Sequence, residues 1–198
     1  MPRIAASDRE ERRRRFIDAA WRCAASRGFR DTTVDDVCAE AHASKGAFYV
    51  YFDSKRSLLL ALLEEDAAVL DDLMAALERR NITAVERLRR FTKAMLDRGA
   101  EQATVQVRTD LWTASLTDPV VAQRAGELVA KRRAVLREWV QQAVDGRELV
   151  LHAPANALAS LLLALGDGLM LHGSVDASGF RWPNIARALD DVFAGLAP

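Results

Sequence analysis

Glycine and proline are scarce in this chain, ten and five among 198 residues, and only two cysteines occur. So few chain breakers exclude a loop-rich or collagen-like protein and leave long stretches of Ala, Leu and Arg, which favour helix. Cys23 and Cys38 make no disulfide framework, and free thiols in apolar-periodic stretches suit a reducing compartment. No apolar–polar alternation marks a strand, and no hairpin signal breaks the helical rhythm. The histidines, His42, His152 and His172, are far apart and share no ligand spacing with the cysteines, so no metal is expected. Phosphate loops, dinucleotide fingerprints and nucleophile elbows are missing too, which argues against an enzyme and against a cofactor. The apolar run from Leu158 to Leu165 is too short to span a bilayer, and the charged N-terminus lacks the core of a secretory leader. The expectation is a cytoplasmic protein with no membrane partner.

What is present is charge in balance, 28 basic against 28 acidic residues, with half the chain hydrophobic. The balance hides an asymmetry. Residues 1–56 carry 12 Arg or Lys against 9 Asp or Glu, and the remainder 16 against 19. Arg3, Arg9, Arg12, Arg13, Arg14 and Arg15 crowd the N-terminal end. A basic head on a neutral body fits a nucleic-acid partner, although a charge run is commonly just a solvated helix face.

Apolar spacing and capping signals divide the chain into nine helices. Ser7 with Glu10 reads as a capping box for a helix reaching about Ser26, stopped at Gly28. Thr33 with Asp36 opens a second helix to about Ala41. After a break at His42-Ala43, Ser44 caps a short third helix to about Tyr51. Asp53-Ser54 opens a fourth, through Leu77. Five more follow: about Thr83 to Arg98, ended by Gly99; Glu101 to Ser115; Asp118-Pro119 to Val144, with proline at the first helical position; Pro154 to Gly173; and Pro183 to Leu196. The fold class is therefore all-α: a three-helix head over residues 1–53 and a helical bundle over 54–198.

Two short helices joined by a tight turn suit major-groove reading, the first bracing the backbone and the second presenting its N-terminal residues to base edges. The run Gly28-Phe29-Arg30-Asp31-Thr32-Thr33-Val34-Asp35-Asp36-Val37, then Ala39-Glu40-Ala41, resembles the second-helix region of the TetR family of transcriptional regulators. Ser44-Lys45-Gly46-Ala47-Phe48-Tyr49-Val50-Tyr51-Phe52-Asp53-Ser54-Lys55 resembles that family's recognition helix and the start of its fourth. The resemblance covers about residues 10–65. One position departs from it: His42 stands where the turn usually carries glycine, at a backbone conformation that histidine tolerates.

The resemblance implies a ligand-responsive regulator, most often a repressor, that binds a palindromic double-stranded DNA operator as a homodimer. It assigns DNA contacts to Thr33, Ser44, Lys45, Gly46, Ala47, Tyr49, Tyr51 and Lys55. Lys45 suits guanine, Ala47 a thymine methyl, and Lys55 a phosphate. Phe48 and Phe52 belong to the head's own core. It also implies a dimer through the last two helices. Leu158, Leu161, Leu162, Leu165, Leu169, Met170 and Leu171 make the first of these apolar nearly all round, and Leu189, Val192, Phe193 and Leu196 stripe the second. Interface candidates are Leu158, Leu162, Leu165, Leu169, Leu189 and Phe193. A small, largely apolar effector is expected in the body, with Phe91, Met95, Arg108, Trp112, Trp139 and Met170 as candidate lining, although such stripes are more often core. The rival class is a helical small-molecule binding protein or enzyme with a non-functional head.

Overall fold

The computed structural model describes residues 6–176 and 178–197. Arg3 and the side chain of Ser7 lie outside the described residues, and with them the proposed Ser7–Glu10 capping box. Among the described residues the chain forms nine α-helices and no strand: α1 Ala6–Arg27, α2 Val34–Glu40, α3 Lys45–Tyr49, α4 Lys55–Glu78, α5 Ala84–Ala100, α6 Gln102–Thr117, α7 Pro119–Asp145, α8 Ala155–Val175 and α9 Trp182–Gly195.

The helix starts follow local chemistry. Thr33 caps α2 with Asp36 as a reciprocal box, Ser44 Oγ accepts the Ala47 N–H at 3.1 Å, and Thr83 caps α5. Asp118 Oδ1 accepts the Val120 N–H at 3.0 Å ahead of α7. Gly28 ends α1 at φ +82°, and His42 makes the α2–α3 turn at φ 51°, the left-handed conformation a glycine would adopt freely.

Gly99 corrects the sequence reading. It lies inside α5 rather than ending it. A Cβ there would stand 3.0 Å from the Trp182 ring and 3.5 Å from the Met170 backbone, so packing calls for the glycine. The third helix is also shorter than its apolar pattern, closing at Tyr49 with Val50 and Tyr51 in a turn.

Two compact units result. The first comprises residues up to Ala67 together with Gln106–Ala125. Its core joins Phe16, Ile17, Phe29, Val37, Phe48, Phe52, Leu58 and Leu62 to Val107, Leu111 and Val121. Phe16 meets Phe48 edge-on at 5.5 Å. Phe48 and Phe52 are 0% and 2% exposed, so the head's aromatic pattern is spent on its own interior.

The second unit comprises Ala68–Val105 and the chain from Gly126 on. Leu88, Phe91, Leu136, Trp139, Leu158, Leu162, Leu163 and Phe193 form its core. Of the described helices, α8 alone is long and apolar enough to cross a membrane by length and composition. The uninterrupted run from Leu158 to Leu165 is shorter than the helix, which begins at Ala155 and continues past Gly166, Asp167 and Gly168 to Val175. Leu158, Ala159, Leu162, Leu163 and Met170 bury one side of it in the unit's core, and Asp167 would be costly at a bilayer's midplane.

Candidate nucleic-acid interface

The head's polar side is built on the short helix α3. Phe48 anchors it in the core, which turns Ser44, Lys45, Gly46, Tyr49 and Val50 to solvent. Tyr49 is 49% and Val50 63% exposed. Ala47 and Tyr51 are half-buried, and the Tyr51 ring lies 5.9 Å from Phe16. Thr33 is exposed at the start of α2.

Several of these groups are already engaged. The Thr33 hydroxyl donates to Asp36 Oδ2 at 2.7 Å and accepts the Asp36 N–H at 3.1 Å. These bonds hold the Asp36 carboxyl below its ordinary range: the Thr33 hydroxyl first, then the Thr33 N–H, with Arg27 adding a smaller pull. Lys45 pairs with Asp35 at 2.9 Å, and that hydrogen bond raises the ammonium's pKa. Lys55 is half-buried. Its Nζ donates to the Arg30 carbonyl at 2.8 Å and lies 5.0 Å from the Phe29 ring centre. Burial lowers its pKa, against the opposing pull of Asp31, Asp110 and Asp36. In this state Lys55 ties α4 to the α1–α2 loop.

Beside α3 lies a cleft of about 290 Å³ whose walls include Arg12, Arg15, His42, Ala47, Val50 and Tyr51. Arg15 donates to the Ala41 carbonyl at 3.1 Å, closing the C-terminal end of α2. From the sequence, Arg12 to Arg15 either steer the head toward DNA or merely solvate the first helix. The signal available was their spacing: Arg12 and Arg15 are one helical turn apart, on the turn that carries Phe16.

The six proposed pocket residues divide between the units. Phe91, Met95, Trp139 and Met170 lie in the second. There Phe91 and Trp139 pack edge-on at 6.4 Å, and the indole N–H donates to Glu78. Met95 lies against Gly166 and Met170 against Gly99. Arg108 and Trp112 belong to the first unit. Arg108 is buried and pairs with Asp66 at 3.1 Å, while Trp112 is 38% exposed. A groove of about 390 Å³ in the second unit runs between α4 and α7, with Met74, Ala75 and Val135 flanked by Glu78, Glu138 and Asp71, the last paired with Lys131 and Arg132.

Of the six interface candidates, Leu158, Leu162 and Phe193 are buried in the second unit's own core, and Leu165, Leu169 and Leu189 are half-buried. The exposed large apolar residues of the same two helices, among the described residues, are Leu161, Leu171, Val175 and Val192. No group of three His, Cys, Asp or Glu is placed to hold a metal among the described residues.

A short recognition-type helix capped by Ser44, preceded by a helix capped by Thr33 and carried by a body that is all-helical among the described residues, defines the class of helix-turn-helix regulators. Residues 16–62 match the model of bacterial regulatory proteins of the tetR family, and residues 84–198 that of the BetI-type transcriptional repressor C-terminal domain. The chain belongs to the TetR family. It is 31% identical to the transcriptional regulator BetI of Brucella canis, over 90% of this chain and 86% of that one. With the repressor AcnR of Corynebacterium diphtheriae it shares 27% identity over 97% and 95%. Two Bacillus subtilis regulators, YuxN and YerO, match at 41% and 43%, but over only 19% of their own lengths. The fold superposes on a regulator from Haloarcula marismortui with TM-score 0.83 at 16% identity, covering 96% of this chain and all of that one. A regulator from Saccharomonospora viridis, solved in complex with choline, gives TM-score 0.80 at 24% identity over 92% and 95%.

Proposed function

We propose that this protein is a transcriptional repressor: a cytoplasmic homodimer that binds a palindromic operator and leaves it when a small, largely apolar effector occupies the body. Residues 1–53 read DNA in this account, and residues 54–198 dimerise and sense. The observation that carries the reading is the exposed edge of α3. Ser44, Lys45 and Gly46 occupy its first turn and Tyr49 the next, all open to solvent on a helix fixed by Phe48. Ala47 and Tyr51 flank that edge, Arg12 and Arg15 give the neighbouring cleft a cationic rim for phosphate, and Thr33, exposed at the start of α2, is a further proposed contact. Lys55 reaches phosphate by releasing the Arg30 carbonyl.

A head this small makes too few contacts for tight binding alone, so two heads must act on paired half-sites. The dimer surface is proposed on α8 and α9, with Leu161, Leu171, Val175 and Val192 at its centre and Leu165, Leu169 and Leu189 behind them. Exposed apolar side chains in that number on adjoining helices are a liability in a monomer. The effector is placed in the second unit, near Phe91, Met95, Trp139 and Met170, or in the adjoining α4–α7 groove. Since α4 runs through both units, a ligand that shifts it alters the spacing of the two heads. A 100-fold preference for the DNA-free state corresponds to about 2.7 kcal/mol.

The test is selection of bound duplexes from a random DNA pool at physiological salt, repeated with Lys45→Ala and Tyr49→Ala. A palindromic motif that both variants lose is the expected result. No enrichment by the unaltered protein would overturn the reading and move the function to the body alone.

A further inference from the structure

The surface proposed to meet DNA carries a carboxylate that a phosphate binder does not need. Asp35, in the first turn of α2, points its two oxygens at Lys45 Nζ, at 2.9 and 3.1 Å. The side chains are 71% and 54% exposed. An ion pair this open contributes little to stability. On a phosphate-binding face it is counterproductive: the acid repels the DNA backbone and withholds a cation from it.

The pair does match one object in the major groove. Guanine offers two adjacent acceptors, N7 and O6, and its partner cytosine offers the N4 amino donor beside them. An ammonium with a carboxylate held at hydrogen-bond distance presents the complementary pattern, donor next to acceptor. An adenine–thymine pair sets its single donor between acceptors and adds a methyl group, so it offers Lys45 no adjacent pair of acceptors. We propose that Asp35 is a specificity-determining residue which, together with Lys45, reads one guanine–cytosine base pair in each half-site. Lys45 contacts guanine N7 and O6, and Asp35 accepts from cytosine N4. On any other sequence Lys45 can reach phosphate only by leaving Asp35 unpaired beside a polyanion, so the same pair weakens non-specific binding. The inference rests on the operator-binding reading above and adds to it a residue and a base pair.

The experiment repeats the random-pool selection with Asp35→Ala and Asp35→Asn, and measures affinity for non-specific duplex against salt. With Asp35→Ala, preference at one guanine–cytosine position per half-site falls about tenfold while the other positions keep theirs. Non-specific affinity rises, and its log–log salt slope steepens by about one as Lys45 is freed for phosphate. With Asp35→Asn, the base facing residue 35 changes from cytosine toward adenine, whose N6 and N7 suit an amide. A wild-type motif that both variants reproduce at every position overturns the inference and leaves the operator-binding reading standing. Equal weakening at all positions overturns it as well, since that is the mark of a structural role. If the unaltered protein selects no motif, the operator-binding reading fails, and this inference fails with it.

Discussion

The Asp110 carboxylate of α6 accepts the backbone N–H of Phe29, two residues beyond the end of α1. Asp110 also stands 3.3 Å from the site of a Cβ on Gly28, where φ is +82°, and its other oxygen accepts from Gln106. The turn that launches α2 is therefore held by a side chain far along the sequence. A second tie of the same kind joins Arg56 at the start of α4 to Asp118 ahead of α7, at 2.7 Å.

Asp110→Ala strands the part-buried Phe29 N–H. Leaving such a donor unpaired costs about 1–3 kcal/mol. For a chain of this size each kcal/mol lowers Tm by about 2–4 °C. Thermal melting followed by circular dichroism should show that drop, and Asp110→Asn, which retains an acceptor oxygen, should show less. An unchanged Tm in Asp110→Ala would mean that the turn stands without the bond.

Thr33 governs a local, pH-dependent contribution. Replacing it with Ala removes the hydroxyl, which accepts the Asp36 N–H and donates to Asp36 Oδ2, at about 0.5–2 kcal/mol, and keeps the backbone N–H of residue 33 that donates to the same carboxylate. Because the Thr33 hydroxyl helps hold the Asp36 carboxyl below its ordinary value, the contribution of its bond to that carboxylate is fully present above the unfolded carboxylate pKa and is lost as pH falls through the lower, folded one. Stability curves of the wild type and Thr33→Ala should run apart at neutral pH and draw closer in acid, below about pH 4, where only the cap on the Asp36 N–H still separates them. A gap that stays constant into that range would assign the whole effect to the cap on the Asp36 N–H.

The capped helices were legible in the sequence because their signals are local. Thr33 with Asp36, Ser44, Thr83 and Asp118-Pro119 each act within three residues, and His42 was readable as a turn residue at positive φ. What escaped depends on partners distant in the chain. Gly99 looks like a helix terminator until Trp182 is set against it. Lys55 looks like a free phosphate clamp until the Arg30 carbonyl is brought beneath it. Asp35 is an ordinary acid on α2 until the turn at His42 carries Lys45 to within 3 Å. Of the proposed DNA-contacting residues, the sequence supplied identity and helix, but it could not reveal which were already bonded within the protein.

Two glycines of α8 separate packing from propensity. At Gly173 a Cβ would stand 2.6 Å from Trp182 Cζ2 and 3.1 Å from Phe180, two rings that meet edge-on at 4.8 Å. Those rings are rigid, and the Trp182 ring also abuts Gly99, so Gly173→Ala should destabilise by about 1–3 kcal/mol through overpacking. At Gly166 the Cβ collides with the flexible end of Met95, whose own Cβ stands at 3.4 Å, an ordinary contact. That side chain can move aside, and the helix gains about 1 kcal/mol from alanine, so Gly166→Ala should be close to neutral. Urea denaturation of both variants checks the contrast, and equal losses would refute the assignment of rigid and yielding neighbours.

The proposed dimer surface makes the last prediction. Leu161 on α8 and Val192 on α9 are 61% and 58% exposed, so replacing them should leave the protomer's fold intact. Leu158, Leu162 and Phe193 provide the contrast, since they are buried in the second unit's core and their truncation to Ala should cost about 2–5 kcal/mol of stability. A protein with Leu161→Glu and Val192→Glu should sediment as a monomer with near-normal Tm, because a carboxylate is costly only once a partner covers it. Its operator affinity should fall by several orders of magnitude, since one head alone makes too few contacts for tight specific binding. Sedimentation as a dimer with operator binding retained would show that the protomers meet elsewhere, and that the apolar face of α8 and α9 serves something other than self-association.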